Sequence, residues 1–163
     1  MLTHSQIRSM LPHRYPMLLV DTVESCTPGV SLVAKKNVTC NEPCFADFLN
    51  DADPYSLIYP HSLILESFLQ AAGILFLKSW DLSGDPSHSV MLFGAISGCS
   101  FYSEVLPGES LEHRAKLDRT VSETGFVSGE VWVGARQVAK IQQVLIAVRP
   151  IKSFGVEQDR TDG

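Results

Sequence analysis

The sequence has no concentration of positive charge. Its 163 residues include 13 lysines and arginines against 18 aspartates and glutamates, which gives a formal net charge of −5. Chains that bind nucleic acid or anionic membranes usually gather basic residues on one face. We therefore expect no nucleic-acid partner and no membrane partner.

Metal-binding motifs are equally scarce. The four cysteines are Cys26, Cys40, Cys44 and Cys99, and the C-x3-C pair of Cys40 and Cys44 has no second pair or histidine cluster to complete it. The sequence thus predicts free thiols, no metal and no cofactor. The first residues, MLTHSQIRSMLPHRYP, have no apolar core typical of a signal peptide, so we expect a cytoplasmic protein.

The one long apolar segment begins at Tyr59 and reads YPHSLILESFLQAAGILFLKSW. Pro60 suits the first turn of a helix, and a helix that is apolar on all sides is a buried one. We predict this helix over the range Ser62 to about Lys78. Glu66 and Gln70 interrupt the run, which argues against a membrane span, and they share one face of the helix. Because a buried carboxylate needs a partner, Glu66 is either half of a structural pair or part of a functional site.

Alternation of apolar and polar residues predicts strands in most of the remaining chain. A short helix is expected near residues 3–10, and strands are expected over 17–26, 30–39, 90–96, 100–106, 110–121, 125–135 and 137–149. Consecutive strands favour an antiparallel meander with the helix on one face, an α+β arrangement. We expect one domain over 1–152 and a polar tail over 153–163. An open sheet has unprotected edges, which favours pairing in a dimer.

Four uncommon strings follow one another along the chain. They are LPHRYPMLLVD at 11–21, KKNVTCNEPCF at 35–45, YPHSLILESFLQAAGIL at 59–75 and FGAISGCSFYSEVLPGESL at 93–111. Together they resemble the hot-dog-fold 3-hydroxyacyl-[acyl carrier protein] dehydratases, the FabZ-like family, over roughly residues 7–150. The resemblance implies a hot-dog fold, in which a curled antiparallel sheet wraps a long central helix. It also implies a hydro-lyase that acts on acyl chains carried by an acyl carrier protein, in fatty acid or polyketide biosynthesis.

The resemblance further implies a two-residue site shared between the protomers of a dimer. In the family, a histidine in the string G-H-F-P-G takes the C2 proton, and a glutamate of the central helix serves the leaving hydroxyl. The helix N-terminus offers backbone N–H groups to the thioester oxygen. The glutamate corresponds to Glu66. Substrate-binding positions implied by the resemblance are Phe48, Pro60, Ser62, Gln70, Phe93 and Gly94.

The family's histidine has no counterpart in this chain. After Phe45 the sequence reads ADFLNDADPYSLIYPH, where Phe48 matches the phenylalanine of the family string and Asp47 takes the histidine position. His61 stands where the family has the glycine of M-P-G. The candidate catalytic residues are therefore Glu66, with His61 or Asp47 as a replacement base. A neutral imidazole at a helix N-terminus is a reasonable base, whereas a solvated carboxylate is a poor one near pH 7.

Two classes of function remain open at this stage. The chain is either an enzyme, a dehydratase or a related enoyl isomerase, or a catalytically impaired subunit that binds an acyl chain or completes a heterodimer with a second hot-dog chain. The family's basic patch for carrier proteins corresponds here to GAISGCSFYSE, which has no lysine or arginine. Docking would then use Arg14, Lys78 or Arg114, and a specialised pathway is favoured. The remaining histidines are interpreted as ordinary: His4, His13, His88 and His113.

Overall fold

The chain folds as a six-stranded antiparallel sheet around one long helix. The computed structural model describes residues 1–47, 57–80 and 89–150. In chain order the elements are helix α1 (His4–Met10), strands β1 (Thr22–Thr27) and β2 (Ser31–Asn37), a 3-10 turn (Pro43–Phe45), helix α2 (His61–Ser79), and strands β3 (Ser89–Phe101), β4 (Ser110–Val121), β5 (Thr124–Val133) and β6 (Arg136–Pro150). The strand order across the sheet is β1-β2-β4-β5-β6-β3, with every neighbouring pair antiparallel.

Helix α2 is the central element, and its limits differ from the prediction by one residue at each end. Pro60 is the N-cap, and its carbonyl accepts hydrogen bonds from the N–H groups of Leu63 and Ile64 at 3.0 and 3.1 Å. The helix is buried without a break from Ser67 to Leu77. By length and hydropathy α2 is apolar enough to cross a membrane, but here the sheet covers it. Its apolarity is that of a core helix wrapped by strands, as in the expected hot-dog fold.

Two glycines of β5 let this helix approach the sheet closely. A Cβ atom at Gly125 would lie 2.5 Å from the ring of Phe76, and one at Gly129 would lie 2.6 Å from the ring of Phe68. Neither space holds a methyl group, since protein interiors pack near crystal density. The missing side chains therefore set the distance between α2 and β5, and with it the position of every polar group on the helix.

The prediction of separate strands over 90–96 and 100–106 is wrong. The ladder between β3 and β6 continues through Ser97, Cys99 and Ser100, which pair with Gln143, Ile141 and Lys140. Gly98 adopts a φ of +59°, so the chain accommodates an irregularity there without leaving the sheet. The strand ends at Phe101, and residues 102–106 form no strand.

The prediction of a strand from residue 17 is also wrong, because β1 begins only at Thr22. The N–H groups of Leu19 and Val20 donate to the side-chain oxygen of Gln70, at 2.9 and 3.4 Å, and not to a neighbouring strand. A side chain of α2 thus replaces the ladder partner. The predicted polar tail over 153–163 lies outside the described residues, so the boundary at residue 152 stays a prediction.

Candidate active site

The site is built on the first three turns of α2, where Glu66 and Gln70 interrupt the apolar run. Gln70 Nε2 donates to Glu66 Oε1 at 2.9 Å, as the i to i+4 spacing predicts. The Glu66 side chain keeps 27% of its surface exposed, whereas Gln70 is fully buried. Glu66 is therefore a carboxylate oriented by a buried amide and still open to a small molecule.

Gln70 uses its whole hydrogen-bonding capacity. Besides its bond to Glu66, Nε2 donates to the carbonyl of Met17 at 2.7 Å, and Oε1 accepts from Leu19 and Val20. An amide has two donor hydrogens and two acceptor lone pairs, and all four are used here. Gln70 thus fastens the segment 17–20 to α2 and orients Glu66 at the same time. Both polar atoms of Gln70 have protein partners in this structure. Its predicted role in substrate binding stays a prediction.

His13, which the sequence suggested was ordinary, lies beside Glu66. Its Nε2 is 3.4 Å from Glu66 Oε1, and 26% of its side chain is exposed. Its Nδ1 is buried, and the described residues offer it no hydrogen-bond partner. Sequence reasoning missed this neighbour because His13 and Glu66 are distant in sequence, and tertiary contacts such as those of Gln70 bring their segments together. A glutamine in an apolar helix, here Gln70, was the available signal for a polar contact with another segment. The sequence did not indicate which segment that would be.

The start of α2 holds Pro60, His61 and Ser62 next to this pair of side chains. The carbonyl of Pro60 takes the N–H groups of Leu63 and Ile64, so those of His61 and Ser62 belong to the set that a helix N-terminus leaves unpaired. The His61 ring is exposed and stacks flat on Phe101 of β3, with centroids 4.2 Å apart and an interplanar angle of 1°. The His61 ring is thus held against the end of β3.

The predicted loop residues are placed less directly. Asp47 is exposed just after the 3-10 turn, and Phe48 lies outside the described residues. The turn itself is anchored by a buried ion pair, in which Lys36 Nζ lies 2.5 Å from Glu42 Oε1. Burial raises the pKa of the Cys44 thiol, and the nearby Glu42 adds to the effect, so a reactive thiolate is disfavoured there.

Phe93 and Gly94 lie further along the helix than the other predicted site residues. The Phe93 ring packs 3.6 Å from the point where a side chain at Gly73 would begin. Gly73 is seven residues past Glu66, about 10 Å along the helix axis. Phe93 thus packs about two turns of α2 beyond Glu66, and the predicted roles of Phe93 and Gly94 in substrate binding stay predictions.

Two further polar groups lie deep in the core. The hydroxyl of Tyr59 has no partner among the described residues, and burial raises its pKa, so the phenol stays protonated. Both ring nitrogens of His113 on β4 are also without a partner in the described chain. Burial, with the charge of Lys36 nearby, lowers the pKa of His113 to about 3. His113 is therefore neutral at physiological pH.

An open groove of about 490 Å³ lies on the other face of the sheet. It is lined by the outward-facing side chains of three strands, among them Arg114, Lys116, Glu130 and Lys140. The sheet stands between this groove and α2, since the alternate residues of β4 face the helix. The groove is thus remote from Glu66 and does not form an acyl site around it.

Residues 11–142 of the chain match the family described as a FabA-like domain. Among curated proteins, the chain is 45% identical over 147 residues to a 3-hydroxyacyl-[acyl-carrier-protein] dehydratase FabZ from Colwellia psychrerythraea, which covers 90% of this chain and 93% of that protein. A FabZ of the same description from Pediococcus pentosaceus is 35% identical over 145 residues, covering 89% and 92%.

Among solved structures, the dehydratase heterocomplex ApeI:P from Xenorhabdus doucetiae superimposes with a TM-score of 0.72. The match covers 91% of this chain and 93% of that chain, at 15% sequence identity. A likeness at this identity concerns the fold, and it agrees with the hot-dog arrangement of α2 and the sheet.

Proposed function

The chain belongs to the FabA-like family, and from that premise we propose that it is a dehydratase-type hydro-lyase acting on 3-hydroxyacyl thioesters carried by an acyl carrier protein. The observation that carries the proposal is the environment of Glu66, a carboxylate on a core helix that is oriented by Gln70 and remains accessible. A group held in this way suits proton transfer to a leaving hydroxyl.

The helix start supplies the second part of the reaction. As the C2 proton leaves a thioester, negative charge develops on the carbonyl oxygen. The N–H groups of His61 and Ser62, which have no partner within the helix, and the positive end of the helix dipole favour an anion at this place. A thioester seated here has its 3-hydroxyl directed along the helix towards Glu66.

Of the cations proposed for carrier docking, Arg14 has the best position. It directly follows His13, and its guanidinium donates to the carbonyls of Leu11 and His13 at 2.8 and 2.7 Å while the side chain stays exposed. Arg114, in contrast, points to the outer face of the sheet and is paired with Glu112. We therefore assign carrier recognition near the site to Arg14, in a cytoplasmic and specialised acyl pathway.

We propose a dimer joined through β3. This strand pairs with β6 on one side and lies at the edge of the sheet as the described residues form it. From Ser89 to Phe101 the strand carries no charged residue, so it has none of the charges that usually protect an edge from pairing. Sedimentation at micromolar concentration should give a dimer, and a stable monomer would contradict this part of the proposal.

A second candidate function is that of a subunit in a mixed dimer. It is favoured by the string ADF after Phe45, which puts exposed Asp47 where a histidine is expected. In such a dimer, this chain would supply Glu66 to the active site and the partner chain would supply the histidine. Activity that appears only when a second hot-dog chain is added would support this alternative.

The function is tested by following the hydration of a crotonyl-carrier thioester, and the reverse dehydration of the 3-hydroxybutyryl form, with the purified chain. Glu66→Gln should lower turnover by about a hundred- to ten-thousand-fold, the usual contribution of a general acid or base. The matched control is Glu112→Gln, which changes a carboxylate on the outer face of β4 and should leave the rate unchanged. Full activity of Glu66→Gln would show that the carboxylate is structural.

A further inference from the structure

Loss of water from a 3-hydroxyacyl thioester requires two proton transfers, one from C2 and one to the hydroxyl. A titratable side chain within 4 Å of the Glu66 carboxylate is His13. We propose that His13 is the second catalytic residue of this chain, the base that takes the C2 proton, and that it forms with Glu66 a dyad within a single chain. This inference rests on the proposed function and identifies the base of that site.

The imidazole is available for chemistry. At 3.4 Å, Nε2 contacts Glu66 Oε1 without forming a hydrogen bond, and Nδ1 has no partner among residues 1–47, 57–80 and 89–150. Catalytic contacts are often loose before the substrate binds and tighten in the complex. Both side chains are about a quarter exposed, so the pair lies at an opening and not in a sealed core.

The main chain, and not the imidazole, holds His13 in place. The N–H of Leu11 donates to Ile7 at 3.0 Å, and the N–H of Met17 donates to Arg14 at 2.7 Å. Gln70 then fixes the carbonyl of Met17 to α2. Because none of these bonds uses the ring, the turn should keep its shape when the ring is replaced.

The other candidate bases are less well placed. The ring of His61 is stacked on Phe101, Asp47 is exposed beyond the 3-10 turn, and His113 is sealed between β4 and Phe68. His13 alone among these four has a recorded contact with the Glu66 carboxylate.

The step balances within the dyad. His13 Nε2 takes the C2 proton, and the electrons of the C2–H bond pass into an enolate with its negative charge on the thioester carbonyl oxygen. The enolate electrons then form the C2=C3 double bond. The C3–O bond breaks, its electron pair goes to the hydroxyl oxygen, and that oxygen takes the proton held by Glu66 and leaves as water. The imidazolium and the carboxylate produced are neighbours, so the proton returns from His13 to Glu66 and restores the starting state.

The test compares His13→Gln with a control variant in the carrier-thioester assay. His13→Gln should lose about a hundred- to ten-thousand-fold in turnover. His4→Gln is the matched control, because His4 is an exposed histidine of the neighbouring α1. Unaltered turnover in His13→Gln would overturn the inference and leave the proposed function standing, whereas an inactive unaltered chain would overturn both.

Isotope exchange separates a base from a residue that only supports the fold. In D2O, Glu66→Gln should still introduce deuterium at C2 of the 3-hydroxyacyl thioester without losing water. His13→Gln should not, although its circular dichroism and melting temperature match those of His4→Gln. Exchange that survives in His13→Gln but disappears in Glu66→Gln would make Glu66 the base and overturn the proposal.

Discussion

Gln70 and His113 are both polar and fully buried, and they lie on opposite walls of the same core. Gln70 makes four hydrogen bonds, whereas neither nitrogen of His113 has a partner in the described part of the chain. A satisfied buried polar group connects segments and gives a site its shape, while an unsatisfied one only carries the cost of desolvation. The contrast indicates that the buried amide of Gln70 orders the site on α2, whereas the buried imidazole of His113 lowers stability.

The largest effect is expected from Gln70→Ala. The substitution leaves two N–H groups and a carbonyl of residues 17–20 without partners, and each unsatisfied buried group costs about 1–3 kcal/mol. We expect a loss of about 3 kcal/mol or more in the free energy of unfolding, measured by chemical denaturation. Gln142→Ala, on the outer face of β6, is the control and should stay within about 0.5 kcal/mol. A similarly small loss in the free energy of unfolding for both variants would show that the hydrogen bonds of Gln70 do not stabilise the fold.

The second effect tests how tightly the wall around His113 is packed. A Cβ atom at Gly129 would lie 2.2 Å from the carbonyl oxygen of Arg114 and 2.6 Å from Phe68, the residue whose ring meets His113 edge-on. Gly129→Ala should therefore lower the free energy of unfolding by about 3 kcal/mol, at the upper end for overpacking. At Gly73 the nearest atoms belong to the flexible Met91 side chain, so Gly73→Ala should cost clearly less. Equal losses in the free energy of unfolding for the two variants would show that the sheet around Gly129 adjusts easily to an added methyl group.

The third effect is a pH dependence assigned to His113. Its folded-state pKa of about 3 lies below the ordinary value of about 6.5, so the unfolded chain binds the proton first as the pH falls. Stability is therefore fully present above about pH 6.5 and declines towards pH 3, by about 2 kcal/mol between pH 7 and pH 5. His113→Leu should lack this share of the decline, as urea titrations at the two pH values would measure. Parallel curves for both proteins would show that His113 is not the sealed neutral group described here.

The fold and the site differ in how far the sequence predicts them. Helix α2 was predicted to within one residue, since an all-apolar segment after Pro60 has few alternatives. The Glu66 and Gln70 pairing was also within reach, because helical spacing alone brings them together. The late start of β1 could not be predicted. The N–H groups of Leu19 and Val20 donate to a side chain distant in sequence, and no local sequence pattern indicates such a bond.

His13 shows the same limit for function. The sequence directed attention to His61 and Asp47, whereas the contact with Glu66 comes from His13, in the segment before β1. His13 lies in the string LPHRYPMLLVD, and the hydrogen bonds of Gln70 to residues 17–20 hold this segment against α2. Whether Asp47 or Phe48 contributes to the site stays a prediction.

The most direct test of the account is a double-mutant cycle between His13 and Glu66 in the dehydration reaction. If the two residues act as one dyad, His13→Gln combined with Glu66→Gln should be no slower than the slower single variant, because residues that work as a unit lose their effect together. Each variant is compared at equal folded fraction, and the rate is turnover of the carrier-bound 3-hydroxyacyl thioester. Fully additive losses in free energy of activation would contradict the dyad.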